Sequence, residues 1–194
     1  MCGRYALEVD INFLIERYHT IINEKNFLQK EEVFPTDLTL IVRENKGREL
    51  SLMKWGFMPG FVTRPIINGR SETIDSKPTF KIPFLYKRCV IPATSFYEWE
   101  KVGDKKVKRK IFIENEKVFS MAGLYNTFKD KEGKEYEAFT IITTEANGTI
   151  KRIHHRMPVI LPKDKEDEWL RMDNKDLLTL KEMLYPSKER LIIE

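Results

Sequence analysis

The sequence predicts an α+β fold, with mainly antiparallel β-sheets forming a barrel-like core and a few flanking helices. Three observations predict it. Strand-like runs outnumber segments with helical spacing. The strands do not alternate with helical patterns, as a parallel α/β sheet would require. Turn-forming residues punctuate the runs at short intervals, as in Asn45-Lys46-Gly47. With 194 residues and 41% hydrophobic content, the chain can bury one substantial core. No internal repeat or low-complexity linker divides it, so a single domain over residues 1–194 is expected.

The elements follow in order. Ile11, Leu14, Ile15 and Tyr18 have helical spacing, with Asp10 placed to cap the helix. Residues 38–43 and 49–55 read as a hairpin around the Asn45-Lys46-Gly47 turn. Residues 59–65 read as a loop between prolines. Residues 89–91 and 96–99 read as strands on either side of a break at Pro92. Two more runs, 110–113 and 118–124, flank Glu114-Asn115-Glu116, and residues 136–143 and 158–161 supply a later pair. Short helices are expected over 166–170 and 176–184, and a final strand over 190–193. The lysines of 101–110 read as a solvated hairpin tip.

Composition excludes several classes. No run of about 18 apolar residues is present, so no membrane-spanning helix is expected. The N-terminus lacks a signal-peptide pattern. Two cysteines, Cys2 and Cys89, form no disulfide framework and fit a reducing cytoplasm or nucleus. Cys89 lies in an apolar strand pattern and reads as core. A net charge of +4 is a mild hint of an anionic partner.

The chemistry starts at Met1-Cys2-Gly3-Arg4. Loss of Met1 would leave Cys2 with a free α-amine beside its thiol, a 1,2-aminothiol. Such a group captures aldehydes: the amine forms a Schiff base, and the thiol closes on the imine carbon as a five-membered thiazolidine. An α-amine with a pKa of about 7.7–8.0 is partly unprotonated at pH 7. A cationic neighbour, with Arg4 two residues away, would raise the thiolate fraction.

Three further segments combine polar groups with turn-forming or rigid residues: Asn68-Gly69-Arg70-Ser71-Glu72-Thr73, Ser95-Phe96-Tyr97-Glu98-Trp99-Glu100 and Ile153-His154-His155-Arg156-Met157-Pro158. With the N-terminus, in this order, they make the chain resemble the SOS-response-associated peptidase family, the abasic-site processing proteins. Trp55-Gly56-Phe57-Met58-Pro59 and Arg88-Cys89-Val90-Ile91-Pro92 add to the likeness, which spans residues 1 to about 162. The resemblance implies a protein that crosslinks Cys2 to abasic sites in single-stranded DNA, after autocatalytic or aminopeptidase removal of Met1. The lesion's C1′ aldehyde is the electrophile an aminothiol traps. The peptidase label then refers to loss of Met1, since no Ser-His-Asp set or HExxH motif is present.

The resemblance also assigns roles. Cys2, Asn68, Glu98 and His154 form the catalytic set: Glu98 shuttles protons, His154 donates to the sugar oxygen, and Asn68 orients the cysteine ring. Gly69 departs from the alanine common in relatives. Arg4, Arg70 and Arg156 are placed on phosphates, and Pro35-Thr36 and Thr143 along the DNA path; Trp55 and Phe61, as aromatics, can stack on or wedge between bases. Each has a bland alternative. Glu98 can be a solvated strand glutamate, His154 a core histidine and Asn68 a turn residue. The arginines can be salt-bridged to Glu8, Glu72 or other acids, and the aromatics can be core. Adjacent histidines on extended chain point opposite ways, so His154 and His155 should not chelate one metal, and His155 reads as a bystander. No metal and no cofactor is expected; the partner is abasic single-stranded DNA, bound by a monomer. Two other readings stay open: an N-terminal-cysteine amidohydrolase, in which the α-amine serves as base, and a noncatalytic single-stranded-DNA-binding module.

Overall fold

The computed structural model describes residues 2–22 and 29–194. In chain order the described elements are β1 (Tyr5–Leu7), α1 (Ile11–Tyr18), β2 (Ile21–Ile22), β3 (Lys30–Val33), β4 (Leu38–Glu44), β5 (Arg48–Trp55), β6 (Asn68–Arg70) and α2 (Pro78–Tyr86). They continue with β7 (Arg88–Ala93), β8 (Ser95–Val102), β9 (Lys105–Ile113), β10 (Phe119–Lys129), β11 (Glu135–Glu145), α3 (Gly148–Lys151), β12 (Arg156–Pro158) and β13 (Ile160–Leu161). The last are α4 (Glu166–Leu170), α5 (Leu177–Glu182) and β14 (Leu191–Ile193).

Five strands close a ring. β11 pairs β10, β10 pairs β7, β7 pairs β4, β4 pairs β5, and β5 returns to β11. Direction cannot alternate all the way around an odd-numbered ring. One neighbouring pair must therefore be parallel, and here it is β5 with β11, through Phe139 opposite Trp55. Ring closure hides strand edges that would otherwise template association. β2, β6, β12 and β13 extend this sheet, while a second sheet runs β14-β9-β8-β1-β3. The fold is thus mixed α and β and mostly sheet, as the strand-rich pattern predicts.

Packing inside the ring is close. A Cβ built on Gly123 would lie 2.1 Å from Ile91 Cδ1 and 2.9 Å from the Thr140 carbonyl. The backbone contact cannot be relieved by a rotamer change. Gly123→Ala should therefore cost about 1–3 kcal/mol through overpacking, read as a fall in thermal midpoint. Gly56 meets a different need: φ is +119°, and a Cβ there would lie 2.6 Å from Pro65 Cβ. The chain turns out of β5 at that point.

Local signals are realised where the interactions are local. Asp10 accepts from the Asn12 N–H at 2.8 Å and caps α1. Gly47 (φ +133°) turns β4 into β5. Cys89 is fully buried in β7. The 101–110 lysines lie on a β8–β9 hairpin whose tip is exposed.

Other expectations are corrected. Pro92 does not break its strand: β7 runs on to Ala93, with Pro92 opposite Ser120. Its pairing with β4 involves only Val90 and Cys89, so the missing proline N–H faces no partner strand. β10 extends to Lys129, well past Leu124. The 158–161 run is split between β12 and β13. α2 was hidden from the sequence. It starts on Pro78, contains Pro83, and buries Phe80 and Phe84 while exposing Ile82 and Tyr86, so no single apolar stripe marks it.

Candidate active site at the seam between the sheets

The two sheets meet at the N-terminus. The Tyr97 N–H donates to the Arg4 carbonyl at 2.9 Å, laying the entry to β1 beside β8. From the other sheet, Asn68 on β6 donates from Nδ2 to the Cys2 carbonyl at 2.9 Å. Asn68 lies on a strand paired with Ile141, so the turn alternative is set aside; Gly69 leaves this geometry intact. Glu98 on β8 is only 3% exposed, which sets aside the solvated-glutamate alternative. His154 follows the short helix α3, whose cap Asn147 accepts from the Ile150 N–H at 3.1 Å. Its Nδ1 lies 4.0 Å from Glu98 Oε1. Asn68 thus reaches the Cys2 carbonyl, His154 reaches Glu98, and the charge of Glu98 is felt by the Cys2 thiol, so residues far apart in the chain share one site.

The electrostatics set the order of reactivity. Cys2 is fully buried, with its thiol 3.7 Å from the Arg4 carbonyl. Burial, and then the charge of Glu98, push the thiol up to about 12. The expected activation by Arg4 is therefore corrected. The Arg4 guanidinium is ion-paired to Glu32 at 2.9 Å and lies over the rings of Phe34 and Trp99. Burial holds His154 below the ordinary histidine value, against the opposing pull of Glu98. Its Nδ1 is 3.0 Å from the Arg156 N–H and 3.2 Å from the Arg156 carbonyl. The ring can accept there when neutral and donate there when charged, which suits a group that passes protons.

His154 and His155 lie in the bend between α3 and β12, not in extended chain, and the two rings stack with centroids 4.4 Å apart. The expectation that adjacent rings point opposite ways is corrected on that ground. Among the described residues no group of three or more His, Cys, Asp or Glu could hold a metal ion. No helix among them is long and apolar enough to cross a membrane.

A sequence profile of the SOS response associated peptidases (SRAP) matches residues 1–193. The chain belongs to this family. It is 35% identical to the abasic site processing protein YoqW of Bacillus subtilis, over 96% of this chain and 87% of that one. It is 31% identical to the abasic site processing protein YedK of Escherichia coli, over 89% of this chain and 81% of that one. A crystal structure of a protein from Bacteroides thetaiotaomicron superposes with a TM-score of 0.88 at 27% identity, covering 99% of this chain and 91% of that chain.

Within this SRAP chain the residues expected on DNA fall into two groups. Arg70 is exposed and, among the described residues, has no ion-pair partner. It lines a polar pocket of about 270 Å³ with Glu145, Lys151, His155 and Arg156. Phe61 is 77% exposed at the tip of its loop, and Thr36 is exposed too. The other group is corrected. Trp55 has no exposed face: Nε1 donates to the Ile67 carbonyl at 3.0 Å, and the ring packs on Tyr5 and Phe139. Thr143 is fully buried, with its hydroxyl directed at the Gly69 carbonyl.

Arg156 is only 6% exposed. Its fork grips both oxygens of Glu72, at 2.5 and 2.9 Å, and the Thr143 carbonyl at 2.7 Å. It ties β12 to the short helical turn after β6 and so fixes the peptide that touches His154. The ion-paired alternative, with Glu72 as partner, is the one realised for Arg156. Arg156 is therefore placed to support the His154 segment, with its fork already taken by Glu72 and Thr143. Arg156→Lys and Glu72→Gln should each weaken the site by a similar amount. Their double-mutant cycle should show coupling of about 1–3 kcal/mol. A phosphate-binding Arg156 would instead give a large loss that Glu72→Gln does not share.

Proposed function

We propose that this chain processes abasic sites by crosslinking Cys2, freed of Met1, to the sugar aldehyde in single-stranded DNA. The convergence of Asn68, Glu98 and His154 on Cys2 carries this reading. The names of its relatives, abasic site processing proteins, support it.

The ordinary acidities of an amine and a thiol order the proposed steps. Even at its ordinary value of about 8.5 a thiol is mostly protonated at neutral pH, while an α-amine at about 7.7–8.0 is partly free, so the amine is the first nucleophile. It attacks C1′ of the ring-opened sugar, and its proton passes to Glu98 or His154. The carbinolamine loses water to give an imine. The tethered thiol then adds to the imine carbon; its proton passes to the same bases and one returns to the imine nitrogen. The product is a thiazolidine, with net loss of one water. Tethering supplies much of the rate of closure, and ring closure competes with β-elimination, which would break the strand. Asn68 holds the Cys2 carbonyl and so the orientation of the new ring. Cys2 is buried in the unprocessed chain, so removal of Met1 must both free the amine and open the sulfur to the sugar. Arg70 and its pocket take a neighbouring phosphate, which carries no sequence information.

Incubation with an abasic single-stranded oligonucleotide should give a band that survives denaturing electrophoresis. Undamaged oligonucleotide should give none. Crosslinking by Cys2→Ala at the parent's level would sink the proposal.

A further inference from the structure

We propose that the β8–β9 ribbon is a second DNA-binding surface, holding backbone phosphates of the strand that flanks the lesion. This rests on the function proposed above and extends it to residues outside the motifs. Directly opposite residues of an antiparallel pair share a face. Here Lys101 lies opposite Lys106, and Val102 opposite Lys105. Like charges placed directly opposite destabilise a two-stranded ribbon. Among the described residues, none of these three lysines has an ion-pair partner, and Asp104 is the one acid at the tip. Packing does not call for them, since Val102 beside them is 50% exposed. A ribbon tip of this kind is at odds with itself until an anion joins it.

Basic side chains continue toward the site, but there each is held by an acid, Lys108 by Glu32, Arg109 by Glu100 and Lys110 by Glu8, so the unmatched charge is at the tip. On the Lys101–Lys106 face, Trp99 lies opposite Lys108 and Tyr97 opposite Lys110. Lys108 and Arg4 share Glu32, and the Lys108 ammonium also lies over the Tyr97 ring. Burial, with Arg4 and Lys110 close by, holds Lys108 below the usual lysine range. The same strand carries Glu98. Lys105, opposite Val102, shares that carboxylate's face and lies about 13 Å along the ribbon from it, while Lys101 and Lys106 occupy the other face of the same tip. In a stacked strand, phosphates recur every ~3.4 Å along the axis, so the tip reaches the first few nucleotides beside a lesion held at Cys2. Strand backbone with period-2 lysines can follow such a row of charges without reading bases.

The test is a salt titration of binding to an undamaged single-stranded oligonucleotide, with the full chain and the triple variant Lys101→Gln, Lys105→Gln, Lys106→Gln. Each lost phosphate contact removes ~0.7 from the slope of log affinity against log salt. The triple variant should therefore lose about 2 from that slope and bind about tenfold more weakly at low salt. A charge-matched control, Lys46→Gln, Lys81→Gln, Lys188→Gln, should keep the parent slope. An unchanged slope in the ribbon variant, an equal loss in the control, or a parent with no salt-dependent affinity would overturn the proposal. Crosslinking to saturating abasic oligonucleotide is measured separately and should be unchanged in the ribbon variant. Failure of the parent to crosslink would remove the Cys2 chemistry while leaving the salt slopes to judge the ribbon.

Discussion

Glu98→Gln should slow crosslinking by about 10²–10⁴-fold, the range of a lost general acid–base group. Glutamine keeps the shape and can still hydrogen-bond, so the buried position should tolerate it. It cannot take the proton released when the amine attacks or when the thiol closes. The same change should move the thiol in the opposite sense. Glu98's charge is the second cause, after burial, of the raised Cys2 value. Removing it should shift the pH midpoint of Cys2 alkylation downward in the processed protein. Slower crosslinking together with a more acidic thiol is a paired signature that a merely structural glutamate would not give. Single-turnover kinetics on an abasic oligonucleotide, beside an alkylation–pH profile, would read both. An unchanged rate would remove Glu98 from the mechanism.

Arg88→Met should be the most destabilising single change outside the site. Arg88 is fully buried and has no acidic partner within ion-pair distance among the described residues. Its Nε donates to the Trp169 carbonyl at 2.7 Å, and its two terminal nitrogens reach the carbonyls of Phe84, Leu85, Arg171 and Asn174. Burial lowers it only to about 10, so it stays charged at neutral pH. One guanidinium thereby satisfies the end of α2, the end of α4 and the segment that follows. The Trp169 indole completes the knot by donating to the Cys89 carbonyl at 2.9 Å. Methionine fills similar volume but strands these carbonyls without donors. Each unsatisfied buried group costs about 1–3 kcal/mol, with partial relief by relaxation. A loss of roughly 4 kcal/mol or more follows, which for a chain of this size is about a 10 °C fall in melting midpoint. Thermal unfolding followed by circular dichroism measures it, and a loss under about 1 kcal/mol would contradict the role.

What was legible in the sequence was local. The cap of α1 and the β4–β5 turn depend on residues a few positions apart, so their signals sit together in the chain. The four motifs at Cys2, Asn68, Glu98 and His154 were legible as chemistry. What escaped was decided by distant partners. An arginine inside a motif reads the same whether its fork meets a phosphate or Glu72, 84 residues away. Trp55 reads the same whether it faces a base or Phe139. The ring closure of β5 on β11 has no local signature, because it is a parallel pairing between segments far apart in the chain. The thiol's raised value is likewise a property of burial, which the four residues of the N-terminal motif cannot reveal.

Intact mass spectrometry of the purified protein, before and after incubation with an abasic single-stranded oligonucleotide, tests the central claim most directly. The expected product is a chain lacking Met1 that gains the mass of the oligonucleotide minus one water. A chain that retains Met1 and still forms the adduct, or a processed chain that forms none, would contradict it.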